Sequence, residues 1–189
     1  MTFTEFDVKI FASYCKRFNE TTDKSKVTIG AIAKELGVSR QAIYKTYYNS
    51  IDSLLVGMHY YVDQDIKNYF TELIDSSKDT PFVELIMYGL IPRLYEKRLY
   101  LHVIYANSSD TNWANFLEQQ YIEVIMTKID NSTLREMNLD RRLVADMVIN
   151  QFTSFVSVWM RMDKIYSPEE AANLFKNFYI HSLSDVIKS

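Results

Sequence analysis

Between Thr28 and Leu55 the chain reads TIGAIAKELGVSRQAIYKTYYNSIDSLL, and here residue type and spacing combine into a chemistry. Ala33 is small enough for a second helix to cross it, and Gly37 follows four residues later, where a tight turn is needed. Ile32, Leu36, Val38 and Ile43 fall where two crossing helices share a core. Thr28 and Ser39 are good helix N-caps. Ser39 therefore opens a short helix whose exposed half carries Arg40, Gln41, Ala42, Tyr44 and Lys45. Arginine pairs bidentately with guanine O6 and N7, and glutamine with adenine N6 and N7, each worth about 1–3 kcal/mol of base discrimination. The hydroxyls of Thr28, Ser39 and Tyr44 suit phosphate contacts, which fix register without reading sequence. Tyr48, one turn further on, completes the candidate contact set. The competing reading is a plain helical hairpin with a solvated polar face.

Other chemistries find little support. His59, His102 and His181 are far apart, with no pair at i,i+4 spacing, and Cys15 lies on an apolar stripe. No Ser/His/Asp arrangement follows a turn motif, and capping explains Glu169-Glu170. The expectation is no enzyme, no catalytic residues, no bound metal and no cofactor.

The elements that must position these residues are helices. Among 189 residues there are 4 Gly and 3 Pro, against averages of roughly 7% and 5%, too few turn-makers for a many-stranded sandwich or barrel. The glycines never cluster into a phosphate loop. The net charge of −3 speaks against a general nucleic-acid binder, but it divides unevenly. Residues 1–50 hold 8 Lys/Arg and 5 Asp/Glu, leaving 13 and 19 for residues 51–189. A basic head over 1–50 and an acidic helical body over 51–189 follow. The single cysteine and the absence of a secretion signal at Met1-Thr2-Phe3 predict a cytoplasmic protein. Polar residues interrupt Leu143–Met162, which reads as a buried helix rather than a membrane span.

About nine helices are predicted. Phe3–Phe18 has apolar residues three and four apart. Ile29–Leu36 and the helix after Ser39 follow, completing a three-helix head, and then a long helix runs from Ser50 to Ile74. Thr80-Pro81 reads as an N-cap and first-position pair, with a break or kink at Pro92. Arg93–Ala106, a helix capped near Asp110, Leu139–Met162 and a last helix to Ile187 complete the set. Ser167-Pro168-Glu169-Glu170 is a capping box before that last helix.

IAKELGVSRQAIY, followed by an aromatic pair and SIDSLL, resembles the TetR/AcrR family of bacterial one-component transcription regulators. Arg40-Gln41, Ile51 and SPEE resemble its dihydroxyacetone-kinase regulator-like subgroup. The resemblance implies an all-α ligand-responsive homodimer binding a pseudo-palindromic DNA operator, most often as a repressor, though the subgroup also contains an activator. Four features depart from the family pattern. Asn19–Lys26 has no Gly-aromatic pair, and Ala31 stands where an acidic residue is common. The stretch through Tyr48 is one residue longer, and Ser50-Ile51 replaces a frequent lysine. Weaker backbone contact would follow from the last, and a coregulator that acts through protein contacts is the alternative function.

The resemblance makes the body a domain for an unidentified small-molecule effector and for dimerisation. Its aromatics independently allow a pocket: Met87, Tyr88, Tyr95, His102, Tyr105, Trp113, Phe116, Phe152, Phe155 and Trp159 are the candidate lining. Ordinary core packing is the competing reading of each. Leu143–Met162 and the last helix, with Leu174, Phe175, Phe178, Tyr179 and Ile180, are the candidate dimer surface.

Overall fold

The computed structural model describes residues 2–77, 79–107 and 111–180, with the side chains of residues 111–115, Met137 and Ile180 outside that description. Asp110, the Trp113 side chain, His181 and the predicted helix end at Ile187 therefore lie outside the described residues. All regular structure among the described residues is helical. The α-helices are α1 (Glu5–Glu20), α2 (Ile29–Glu35), α3 (Arg40–Thr46), α4 (Ile51–Ser76), α5 (Phe82–Leu85) and α6 (Ile91–Glu96). They continue with α7 (Arg98–Asn107), α8 (Thr111–Met126), α9 (Asn131–Met137), α10 (Arg141–Arg161) and α11 (Pro168–Ile180). A 3-10 turn covers Lys24–Lys26, and a π turn, Ile86–Leu90, joins α5 to α6.

The chain forms two compact units. The first comprises residues 1–65 with 97–107, and the second 66–96 with 108–189. In the first, Ile10, Phe11, Tyr14 and Phe18 of α1 are buried with Ile32 of α2, Ile43 of α3 and Leu54, Met58 and Val62 of α4. Helix α7 packs along α1, burying Leu101, Val103 and Ile104. Tyr61 stands edge-on to Tyr100 at 5.9 Å and tilts against Phe11 at 5.7 Å, so three helices share one aromatic seam. In the second unit α8 packs against α10, and α11 against the π turn and α6. Phe70 anchors the rear of α4 there, with Phe82 at 6.2 Å and Tyr121 at 6.3 Å.

Capping chemistry set most boundaries where the sequence places them. Ser167 and Glu170 form the reciprocal box, with Ser167 N donating to Glu170 Oε2 at 2.8 Å and Glu170 N to Ser167 Oγ at 3.2 Å. Three expectations need correction. Pro81, not Thr80, is the residue before α5, and no side chain caps it. Pro92 does not break the chain's course, because the preceding π turn lets Ile91 N–H reach the Ile86 carbonyl. That wider turn makes room for a ring that lacks an N–H and crowds the carbonyl four residues back. The division falls instead at Lys97, whose carbonyl accepts from Tyr100 and Leu101 at 3.0 Å and so starts α7.

Helix α10 is long and apolar enough to cross a membrane, yet only 28% of its most apolar window is buried. The buried-helix expectation holds for one face alone. Ala145, Ile149, Val156, Trp159 and Met160 are covered, while Leu143, Met147 and Val158 are exposed.

Candidate nucleic-acid interface

The turn between α2 and α3 is built from backbone hydrogen bonds that only a left-handed residue permits. Val38 N donates to Ala33 O at 3.0 Å and Gly37 N to Lys34 O at 3.4 Å, the paired bonds of a Schellman cap. Gly37 has φ +67°, and a Cβ there would meet nothing within 4 Å, so conformation rather than space requires glycine. Thr28 Oγ1 accepts from Ala31 N at 3.2 Å and Ser39 Oγ from Ala42 N at 3.1 Å, starting both short helices. At the far end of α2, Glu35 ties back to α1 through Arg17 Nε at 2.6 Å and Lys16 Nζ at 3.4 Å.

Helix α3 buries only Ile43. Arg40, Gln41, Ala42 and Lys45 are exposed and Tyr44 is half-buried, while Thr28 and Ser39 are exposed at the two caps. The side chains predicted to face DNA thus share an accessible side of the first unit, with one exception. Tyr48 is buried, its hydroxyl donating to Asp7 Oδ1 at 2.8 Å. It locks the end of α3 to the start of α1 and offers no hydroxyl to solvent. Its ring also lies against Gly57, where an added Cβ would come within 2.6 Å of Tyr48 Cε1. The neighbouring Tyr47 is exposed, with its ring 5.2 Å from Phe6.

Asp7 explains how a buried carboxylate is tolerated there. It accepts from Thr4 N at 2.8 Å, Thr4 Oγ1 at 2.6 Å and Tyr48, while Thr4 Oγ1 caps Asp7 N in return. Burial pushes its pKa upward, but the hydrogen bonds from Thr4 and Tyr48 outweigh that and hold it below the usual carboxylate value. The same pairing, with burial as the larger cause, drives the Tyr48 phenol upward.

Ser50 and Ser53 cap α4 reciprocally, each backbone N–H meeting the other's hydroxyl at 3.0 Å. A cleft of about 420 Å³ opens beside α3, lined among others by Tyr14, Phe18, Lys24, Thr28, Arg40 and Tyr44. Lys24 was missed by sequence reasoning. Its ammonium sits 4.0 Å over the Phe18 ring and donates to Thr21 O at 2.9 Å and to Phe18 O, satisfying carbonyls at the end of α1. The only signal for it was its place in the polar loop Asn19–Lys26.

The candidate effector lining is distributed differently from the expectation. His102 and Tyr105 belong to the first unit and the other candidates to the second. Tyr88 is 70% exposed, whereas Met87 and Trp159 are buried. Tyr95 stacks on Trp159 with an interplanar angle of 13°, and Trp159 Nε1 donates to Tyr166 O at 3.1 Å. Phe155 lies 5.2 Å from Phe175 and Phe152 lies 5.6 Å from it, ring against ring. Phe116 is half-buried. These rings fill space by packing on one another. Among the described residues, no three or more His, Cys, Asp or Glu side chains converge into a metal-holding group.

No protein-family model matches the chain, and no curated protein does. Among solved structures it is similar to the fatty acid degradation regulator FadR from Bacillus halodurans. The TM-score is 0.64 at 16% identity, over 97% of this chain and 99% of that one. It also aligns with the TetR family repressor AlkX from Dietzia sp., at a TM-score of 0.42 and 18% identity, over 90% and 91% of the two chains. The first likeness shows the fold: an all-α architecture shared with a regulator over essentially the full length of both chains.

Proposed function

We propose that the chain is a TetR-type transcription regulator, a homodimer that binds a pseudo-palindromic operator and responds to a small-molecule effector, acting as a repressor. The observation that carries this reading is α3: a short helix on a Schellman turn, fixed from below by Ile43 and presenting Arg40, Gln41 and Lys45 to solvent. That is the arrangement a recognition helix needs to enter a major groove. The head is assigned to residues 1–50 and the effector and dimer body to 51–189.

One seven-residue helix reads few base pairs, so operator recognition calls for two heads about 34–36 Å apart. The exposed face of α10, with Leu143, Met147 and Val158, and that of α11, with Leu174 and Phe178, favour a second copy as their cover. The effector acts by binding one spacing of the heads better than the other, for otherwise no population shifts. The protein is assigned to the cytoplasm with its DNA.

The test is selection of duplexes from a random library by the full chain, followed by binding titrations across salt concentrations. A recovered palindrome, with affinity falling steeply and linearly on a log–log salt plot, is the expected result. Arg40→Ala should then cost about 1–3 kcal/mol and relax one base position. A flat salt response with no recovered sequence would overturn operator binding and favour the coregulator reading, which the Ser50-Ile51 replacement at the start of α4 supports.

A further inference from the structure

Arg40 and Tyr44 stand one turn apart on α3 and touch twice. The Arg40 guanidinium carbon lies 4.9 Å from the Tyr44 ring centroid, and Arg40 Nη2 donates to the Tyr44 hydroxyl at 2.9 Å. The stem of Arg40 runs past Gly30 of α2, its Cδ 3.7 Å from where a Cβ would stand if that residue had one. An exposed arginine on a helix ordinarily samples many rotamers, and ordering it costs up to about 2 kcal/mol. Here the side chain is already held by the Tyr44 hydroxyl and ring. Arg40, Gln41 and Tyr44 together border one shallow, open depression of the surface.

We propose that Tyr44 is a positioning residue: it fixes the plane of the Arg40 guanidinium, so that the two side chains act as one unit in discriminating guanine. This rests on the operator-binding reading above and deepens it, because it changes the role of Tyr44 from a phosphate contact to a determinant of sequence specificity. The phenol oxygen accepts one N–H of the guanidinium, leaving the edge with two parallel N–H groups to meet O6 and N7. Bidentate reading demands that plane, and a pre-ordered plane loses less freedom on binding.

The two roles predict different patterns across sequences. A phosphate contact strengthens every duplex alike, whereas a positioning contact acts only at the base pair that Arg40 reads. The experiment uses the full chain, the palindrome selected from the random library, and variants of it substituted at each position in turn. Tyr44→Phe keeps the ring, and at a half-buried site it leaves the fold intact by thermal melting. It should lower discrimination at one base pair by about 2–10-fold, the same pair that Arg40→Ala relaxes, and leave the salt slope unchanged. In an Arg40→Ala background the change should have no further effect.

A uniform loss of affinity over all duplexes, additive with Arg40→Ala, would overturn the proposal and restore the phosphate role. So would unchanged discrimination in Tyr44→Phe alongside a clear loss in Arg40→Ala. Failure of the wild-type chain to select any sequence overturns the operator-binding reading itself, a result distinct from either.

Discussion

Helix α3 and the α10–α11 region differ in the chemistry of what they expose. Apart from Ala42 the exposed side chains of α3 are polar, with Arg40 bonded to Tyr44 and the Ser39 hydroxyl capping Ala42 N. On α10 and α11 large apolar side chains stand exposed among polar ones, Met147 at 63% and Phe178 at 52%. Beneath them the interiors differ too. The first unit buries a carboxylate–phenol pair, Asp7 with Tyr48, whereas the second fills its interior with rings stacked on rings around Trp159. Directional bonds fix where α3 ends and how it meets α1. Aromatic packing holds the rings by their faces and edges, without hydrogen bonds between them.

Four measurements break or sharpen that contrast. The largest effect belongs to Trp159, 1% exposed: Trp159→Ala should cost about 3–5 kcal/mol in urea unfolding, and a change under 1 kcal/mol would mean that the aromatic cluster is not a packed core. Met147→Asp places a charge on the exposed apolar face of α10. If a second copy covers that face, sedimentation at micromolar concentration should show at least a hundredfold weaker dimer, about 2.7 kcal/mol; an unshifted dimer would place the interface elsewhere.

In the head, Tyr48→Phe removes a hydrogen bond to a carboxylate and should cost about 1.5–3 kcal/mol at neutral pH. Asp7 has its pKa lowered on folding, so its contribution is present above the unfolded value and is lost as pH falls through the folded one. The stability gap between wild type and Tyr48→Phe should therefore narrow in acid titrations below about pH 4. A gap that is constant with pH would show that the contribution of the hydroxyl does not depend on the charge of Asp7. The smallest effect is at Gly57. Helix propensity favours alanine there by about 1 kcal/mol, but the hydrogen-bonded Tyr48 ring blocks the Cβ, so Gly57→Ala should instead destabilise by about 1 kcal/mol net. Thermal melts decide the sign. Gly30→Ala, whose Cβ finds contacts no closer than 3.7 Å, is the control expected to be neutral or stabilising.

The head was legible because its signals are local. Thr28, Gly37, Ser39 and the Ser167–Glu170 box each act within four residues, so residue type and spacing suffice. Tyr48 escaped that reading because its partner Asp7 lies 41 residues away. Nothing near Tyr48 distinguishes a phenol aimed at phosphate from one aimed at a buried carboxylate. The aromatics of the body escaped for a similar reason. Tyr95, Phe155 and Trp159 have types that suit either a cavity wall or a core, and their spacing does not tell which of them meet ring against ring. The continuous course through Pro92 depends on a π turn, which leaves no mark in an apolar pattern.

The sequence by itself determined that the protein is helical, where its helices are capped, and that Arg40, Gln41 and Lys45 sit on a short helix after a glycine turn, because these are consequences of short-range backbone chemistry. Tertiary structure alone decided that α7 joins α1 in the first unit, that Tyr48 turns inward, that Arg40 rests on Tyr44, and that α10 leaves an apolar face uncovered. Three of these depend on which groups distant in the chain come to share a space, and the Arg40–Tyr44 contact on a choice among rotamers that spacing does not make.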